Sequence, residues 1–415
     1  MNSYNSRQLT FGSYGHTLHH CQVTSPDNNW IVYDTRNEDT AIATTTRIER
    51  VNINTKEIQV LYEVDNSTIY GPGVGAVTYS PSEEKVMFIH GIENASKEKP
   101  YSMSRRTGVS VNTNTPHMKE YMDARNIIAP YTKGALRGGT HSHCWHPTQE
   151  LISFTYNDEI LAQNNIKTER VVGIMFPKMV EVPNCNTKDN ISGKMFSVIV
   201  SEIVENATPG TNEIEKAFDE CWLGDKRQLV FQCWVRDKEG RRKTEIFRAI
   251  IPSNEELYMS QGLCGSEFSL PTVPISIKVN RVTYTPKGVS ELRHWLRSSP
   301  DGNRVFFLME DEKGITQLFC HDFSKNIMNQ VTFLESSIQS PFNLSPCGDK
   351  VVFLSNNSLI VCDISTFSYN VLISNDMDIY GIPNWDKTGN IIIYNKYTKD
   401  EKGGKYLQIF SVNLK

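Results

Sequence analysis

The chain has 415 residues, 39% of them hydrophobic and 22% charged, with 25 Gly and 18 Pro, a composition that excludes disordered, collagenous and membrane-embedded classes. Its 43 Lys and Arg against 47 Asp and Glu give a formal charge of −4, without the basic excess that a phosphate-backbone or anionic-membrane binder uses. By length alone two or three domains of ~100–200 residues are expected, unless one repeat runs through the whole chain.

Residues 1–10 are polar, with no charged leader, apolar core or small-residue cleavage site, and no window approaches the ~20 apolar residues of a spanning helix. Nine cysteines, an odd number without a Cys-x-x-Cys pair, read as reduced thiols. Together these features predict a cytoplasmic protein without a membrane segment.

The first element is an extended segment, Arg7-Gln8-Leu9-Thr10-Phe11, whose pattern returns as Asn329-Gln330-Val331-Thr332-Phe333 and in part as Arg281-Val282-Thr283-Tyr284. Then comes Ser25-Pro26 leading into Trp30-Ile31-Val32-Tyr33, the first of seven copies of a turn followed by an apolar run that ends in an aromatic. The next three are Ser80-Pro81 before Val86-Met87-Phe88, His146-Pro147 before Leu151-Ile152-Ser153-Phe154, and Gly224-Asp225 before Leu229-Val230-Phe231. Ser299-Pro300-Asp301-Gly302 precedes Val305-Phe306-Phe307, Ser345-Pro346-Cys347-Gly348 precedes Val351-Val352-Phe353, and Trp385-Asp386 precedes Ile391-Ile392-Ile393-Tyr394. Pro, Asp and Gly supply a tight turn, and the β-branched and aromatic run is a strand buried on both faces.

A further strand and polar turn follow in places, at 50–57 and 359–365, so each unit spans about four strands, and such units repeated radially close a ring. The prediction is an all-β chain, one seven-bladed β-propeller over residues 1–415. The last strand, Gln408-Ile409-Phe410-Ser411-Val412, lacks an outer partner, and residues 7–11 are predicted to complete the seventh blade. Residues 157–221 read as a long insert between the third and fourth blades, a lid at the channel mouth or plain padding, with a short capped helix over 211–218.

In a propeller the first strand of each blade lines the axis, so residues at a fixed distance before each turn converge. Six residues before the Pro or Asp stand His20, Gly75, His141, Asp219, His294, Ser340 and Tyr380, three of them histidine. Strand alternation puts His143 beside His141, and Gln339 and Arg293 adjoin column positions, so His20, His141, His143, His294, Gln339 and Arg293 are expected at one end of the channel. Neutral imidazoles with an oxygen donor suit a divalent ion such as Mn, Fe or Zn, and Arg293 suits a bidentate carboxylate clamp. These residue types support proton abstraction next to a carboxylate, with a histidine of ordinary pKa, near ~6.5, as base.

His20 and Arg293 are the candidate catalytic residues. Arg137 and Arg293 are the candidate substrate-binding ones, Arg137 because the Gly138-Gly139 pair after it either admits a ligand close to the backbone or forms an ordinary turn. The same imidazoles would equally serve a channel wall by bonding to backbone or ordered water. His146 occupies the Ser position of a turn and reads as a turn residue. Neither a P-loop, a dinucleotide fingerprint nor Gly-x-Ser-x-Gly occurs, so no nucleotide cofactor is expected.

The Ser-Pro-Asp-Gly turn before an apolar strand resembles the repeats of the TolB C-terminal domain. Glu49-Arg50-Val51-Asn52, Leu136-Arg137-Gly138-Gly139-Thr140-His141-Ser142-His143, Ser153-Phe154-Thr155-Tyr156-Asn157-Asp158, Arg293-His294-Trp295 and Ile338-Gln339-Ser340 resemble the YidR-type family of TolB-like propellers, which implies the fold and no particular activity. A more distant similarity is to oligogalacturonate lyase, a propeller that holds manganese with His and Gln ligands and β-eliminates uronic-acid oligomers. His141-Ser142-His143 resembles its His-x-His ligand pair, though from the third blade rather than from near the chain's end. The similarity implies a metal site of His141, His143, His294 and Gln339, manganese as the ion, and a saccharide or uronate ligand rather than nucleic acid or membrane. The alternative is a non-catalytic propeller that binds a protein or glycan.

Overall fold

The computed structural model describes residues 4–414, and its strands form seven antiparallel sheets arranged as a seven-bladed β-propeller. The fourth blade shows the plan: Lys216–Trp222 innermost, then Gln228–Arg236, Arg242–Ile250 and Lys278–Arg281 at the rim. The apolar runs read from the sequence are the second strands. Ile31 to Tyr33, Val305 to Phe307 and Val351 to Phe353 are wholly buried, because each sheet is covered by a neighbouring blade on either face.

The turns before these strands share one hydrogen-bond pattern. Ser25 and Ser299 Oγ accept the backbone N–H groups of Trp30 and Arg304 at 2.9 and 3.0 Å, and donate to Asp27 and Asp301 at 2.5 Å. His146 substitutes for serine: its Nδ1 accepts from the N–H groups of Thr148 and Gln149 at 3.2 and 3.1 Å, which bears out its reading as a turn residue.

The predicted closure is present. Ser6–Gln8 pairs antiparallel with Lys405–Asn413, placing Arg7 opposite Ser411, and the Leu9 N–H continues the ladder to the Ile409 carbonyl at 2.8 Å. Thr10, Thr283 and Thr332 explain why three segments look alike. Each hydroxyl accepts an N–H of its blade's third strand, from Ile409, Ile246 and Leu318 at 2.8, 2.9 and 2.8 Å. Each also donates to a side chain there, Gln408, Glu245 and Gln317, at 3.0, 2.5 and 2.8 Å.

Two expectations fail. Residues 211–218 form no helix: Lys216–Trp222 is the innermost strand of the fourth blade, and pairing with Gln228–Arg236 overrides local propensity. The acids that suggested a first helical turn are otherwise engaged, Glu215 with Arg236 at 2.5 Å and Glu213 with the Thr208 N–H at 2.7 Å. Nor are residues 157–221 an insert. They contain Val171–Val180 and Gly193–Ile199, the outer strands of the third blade, after a short helix Glu159–Gln163 capped by Asp158. A longer excursion lies within the fourth blade at 251–277, with a capping-box helix Asn254–Met259.

The first blade has no full inner strand. Residues 17–24 pair with their own sheet only through bridges at Thr17 and Thr24, and the backbone between them runs to other blades. The His20 carbonyl accepts from Arg297 and Asn343 at 2.7 and 3.0 Å, and the His19 carbonyl from Asn384 at 3.2 Å. The Gln22 side chain bonds the N–H and the carbonyl of Trp145 at 3.0 and 2.8 Å. One segment is thereby tied to the third, fifth, sixth and seventh blades, and it fills the axis. Among the described residues, no helix is long and apolar enough to cross a membrane.

Removing residues 1–12 takes away the closing strand and the buried Leu9 and Thr10. Differential scanning calorimetry of the truncated chain should show a Tm lower by about 5–10 °C, and an unchanged Tm would disprove the closure.

Candidate functional site: an axial chamber

The inner strands are interrupted at one level. In the second, third, fourth and seventh blades the register between first and second strands shifts, at Gly75/Thr78, opposite Ser153/Thr155, at Phe218/Cys221 and at Tyr380/Asn384. Ala76, Ser142 and Asp219 take left-handed φ angles of 56°, 57° and 52° in these bulges, and the aromatic that ends the apolar run, Phe88, Phe154, Phe231 or Tyr394, stands opposite. Where the bulges open the channel, above the segment that fills the axis, lies a chamber of about 420 Å³ lined by His19, His20, Arg106, His141, Arg170 and Arg293. That volume falls within the ~300–1,000 Å³ of small-molecule sites.

Its walls carry a surplus of guanidinium groups. Arg36 is held by Asp34 at 2.7 and 2.9 Å, and Asp34 also accepts the Ala76 N–H at 2.7 Å, fixing a bulge. Arg293 pairs with Asp39 at 2.8 Å and lies over Trp295 at 4.5 Å. Arg106, only 3% exposed, donates to the Tyr101 hydroxyl at 3.1 Å, while its Nε and Nη2 find no partner among the described residues. Burial lowers the pKa of that guanidinium. His19 Nε2 and His141 Nδ1 are buried without partners too.

Burial, reinforced for His141 by the charges of Arg106, Arg170 and Arg293, holds His19, His20 and His141 well below the usual imidazole range, so all three are uncharged at neutral pH. Asp219 lines an adjoining cavity of about 300 Å³ that shares Arg170 and Arg293 with the chamber. Burial pushes its carboxyl up to about 6 in spite of the Arg293 and Arg170 charges. A buried guanidinium with free N–H groups, close to neutral imidazoles, is built to receive a carboxylate.

Of the residues expected here, His20, His141 and Arg293 line the chamber. His20 forms its floor, stacked on Trp295 at 4.2 Å and 3°, with Nδ1 3.4 Å from the Arg297 guanidinium. His143 does not join His141. Ser142 and His143 together stand opposite Phe154, so the bulge breaks the alternation, and His143 turns into the protein with Nε2 3.0 Å from Thr140 Oγ1. Burial lowers its pKa to about 3.

His294 is a structural residue. Its Nδ1–H donates to the Leu292 carbonyl at 2.6 Å and its Nε2 accepts the Leu308 N–H at 3.1 Å, the part that Ser340 Oγ plays for Leu354 at 2.9 Å one blade on. With both nitrogens engaged it has no lone pair for a metal. Gln339 is exposed and lines a different cavity, of about 340 Å³, next to Tyr380. The expected ligand set is therefore dispersed, and among the described residues no group of three or more His, Cys, Asp or Glu is placed to hold an ion. The residues do not fit manganese.

Arg137 is not available to substrate either. It is fully buried, donates to Asp158 at 2.6 Å and to the Ser269 carbonyl at 2.9 Å, and so fastens the 260–274 loop to the third blade. The glycines after it accommodate protein backbone: a Cβ at Gly138 or Gly139 would lie 2.0 or 2.3 Å from the carbonyl oxygens of Asn157 and Met103.

Arg106 and Arg170 lie outside the inner-strand register from which the site was predicted. Arg106 opens the third strand of the second blade and Arg170 directly precedes that of the third, while Arg47 and Arg242 open those of the first and fourth. An arginine at the start of the third strand is thus a second register column, at the end of the barrel opposite the Ser-Pro turns.

Residues 73–190 match the family described as Protein of unknown function (DUF3748). Uncharacterized protein YidR of Escherichia coli (strain K12) is 35% identical over 363 residues, 85% of each chain. Among solved structures, the β-propeller domain of Myceliophteria thermophila Cps50 (Swd1) aligns over 98% of this chain and 99% of that one, with 7% identity and a TM-score of 0.51. Oligogalacturonate lyase in complex with manganese aligns over 99% and 93%, with 11% identity and a TM-score of 0.45. The propeller fold is what the Cps50 likeness carries, and the lyase's chemistry does not transfer at that similarity.

Because Arg106 keeps unpaired buried N–H groups at the expense of stability, Arg106→Met should stabilise the fold by about 1–3 kcal/mol in urea denaturation, whereas a structural arginine would destabilise it when removed.

Proposed function

For this chain, which belongs to the family of the Escherichia coli protein YidR, we propose that the axial chamber binds the carboxylate of an acidic saccharide and removes the proton beside it. The observation that carries this reading is the unpaired Nε and Nη2 of Arg106 in the same chamber as the unpaired Nδ1 of His141.

In this reaction Arg106, with Arg293 at the rim, takes the carboxylate and stabilises the charge that spreads onto it as the neighbouring C–H bond breaks. Neutral His141 accepts that proton. The electron pair of the C–H bond forms a carbon–carbon double bond, and the C–O bond to the next sugar breaks. Protonated Asp219, in the adjoining cavity, returns a proton to the leaving oxygen. His141 is a weaker base than free imidazole, since burial and arginine charges lower its pKa, and the incoming carboxylate raises it again by neutralising those charges. His20, in this scheme, shapes the floor instead of moving the proton.

Wild-type protein should bind uronates in calorimetry and release unsaturated uronide, followed by ultraviolet absorbance. His141→Ala should cost about 10²–10⁴-fold in kcat with binding retained. Binding by wild type without turnover would refute the elimination and favour a receptor for acidic sugars, and absence of binding would refute both.

The pH profile has a definite sign. Asp219 acts as its acid form and titrates at about 6 in the free protein, so kcat/KM should fall as pH rises above that value. Asp219→Asn should be slower and should lose that limb, and an Asp219→Asn profile that still falls above pH 6 would exclude Asp219 as the acid.

A further inference from the structure

The chamber is one end of a longer groove. It shares Arg170 and Arg293 with the Asp219 cavity, and that cavity in turn shares Trp234 with a cleft of about 470 Å³ between the third and fourth blades. The indole of Trp234, with Lys216 and Arg242 over its ring at 4.0 and 4.3 Å, forms the saddle between the last two. Phe268, 74% exposed on the 260–274 loop, presents a second ring to the outer cleft. Cavities of this size in series accommodate several sugar rings, and a single uronate would fill only the first.

The sign of the lining charge changes along the groove. Arg106, Arg170 and Arg293 dominate the chamber, where Asp39 is the carboxylate that answers them. In the outer cleft Glu169, Glu202, Glu205 and Glu215 outnumber Lys167, Arg236 and Arg242. Glu215 already occupies Arg236 at 2.5 Å and lies 3.9 Å from Arg242, so the cleft has little positive charge to spare. Glu169 is likewise paired with Lys216 at 3.3 Å, so the cleft lacks the positive surplus of the chamber and offers a second carboxylate no comparable clamp, whereas sugar hydroxyls bond carboxylates and guanidinium groups alike, and sugar C–H faces pack on aromatic rings.

Resting on the reading of the chamber given above, we infer that the ligand is a mixed acidic oligosaccharide. One carboxylated residue sits in the chamber, and uncharged sugars follow on its leaving-group side, across Trp234 and against Phe268. Asp219 lies at the junction between the two, where the bond to be broken would fall.

The test is calorimetric, on the full chain, with three probes: galacturonate, trigalacturonate, and a gellan tetrasaccharide in which a single glucuronate carries a neutral sugar on its O4. The tetrasaccharide should bind about tenfold or more tighter than galacturonate, and trigalacturonate no tighter than galacturonate. Phe268→Ala, a change at an exposed loop position, and Trp234→Ala should each reduce the tetrasaccharide's advantage while galacturonate affinity stays the same. Equal affinity for tetrasaccharide and galacturonate would overturn the groove, and tighter binding of trigalacturonate than of the tetrasaccharide would overturn the charge argument. If galacturonate binds and only the length dependence is missing, the chamber reading survives and this inference falls. If none of the three binds, both fall.

Discussion

The carbonyl of His20 accepts hydrogen bonds from Arg297 and Asn343, and much of the centre of the molecule depends on that arrangement. A buried carbonyl without a partner is costly, and residues 17–24 have given up most of their own sheet's ladder. Side chains from distant blades compensate: Arg297, Asn343, Asn384 and Asn395 each reach the backbone of 16–20, and Gln22 reaches back to Trp145. The result is a fixed floor across the axis. His19 and His20 hold their places by backbone bonding, and the ring of His20 settles on Trp295 because the carbonyl beneath it is anchored.

Above that floor, electrostatics follow from where each charge originates. The bulges stop the inner strands at one level, and the arginines at the start of third strands enter from the same end. Asp34 and Asp39 satisfy Arg36 and Arg293, but no carboxylate pairs with Arg106 within ion-pair distance among the described residues. The imidazoles answer this field by staying neutral. His294 is engaged by backbone at both nitrogens and serves the fold, whereas His141 and His19 line the chamber and each keeps an unpartnered ring nitrogen. Two histidines at the same repeat position, His141 and His294, thus differ in surroundings: one borders the chamber and the other is tied to backbone on both sides.

This explains how far the sequence could be read. The seven turns and apolar runs are local patterns with local causes, and Ser25 and Ser299, like Thr10, Thr283 and Thr332, make the same bonds in each copy. The register column brings only His20 and His141 to the chamber, and it cannot separate His141 from His294, because Ser340 shows that the same position can be a hydrogen-bond acceptor for the second strand. His143 departs from simple alternation because alternation assumes an unbroken strand, and nothing within 138–145 itself marks the bulge opposite Phe154. Lys216–Trp222 has helix-forming neighbours and became a strand only through partners in Gln228–Arg236. Arg137 looked available beside two glycines, whereas the residues that occupy it, Asp158 and Ser269, are distant in sequence.

The same pairing that closes the ring also orders its assembly in time. Ser6–Gln8 and the axial segment emerge early from the ribosome, but their partners, at Arg297, Asn343, Asn384 and Lys405–Asn413, emerge late. Until the seventh blade exists, the first blade lacks a wall on one side and the floor of the chamber lacks most of its anchors. The intervening blades can form pairwise as they are made, each leaning on the one before, while the chamber takes shape only with the final closure. The axial chamber is therefore the last part of this protein to become native, although its floor is among the first parts to be synthesised.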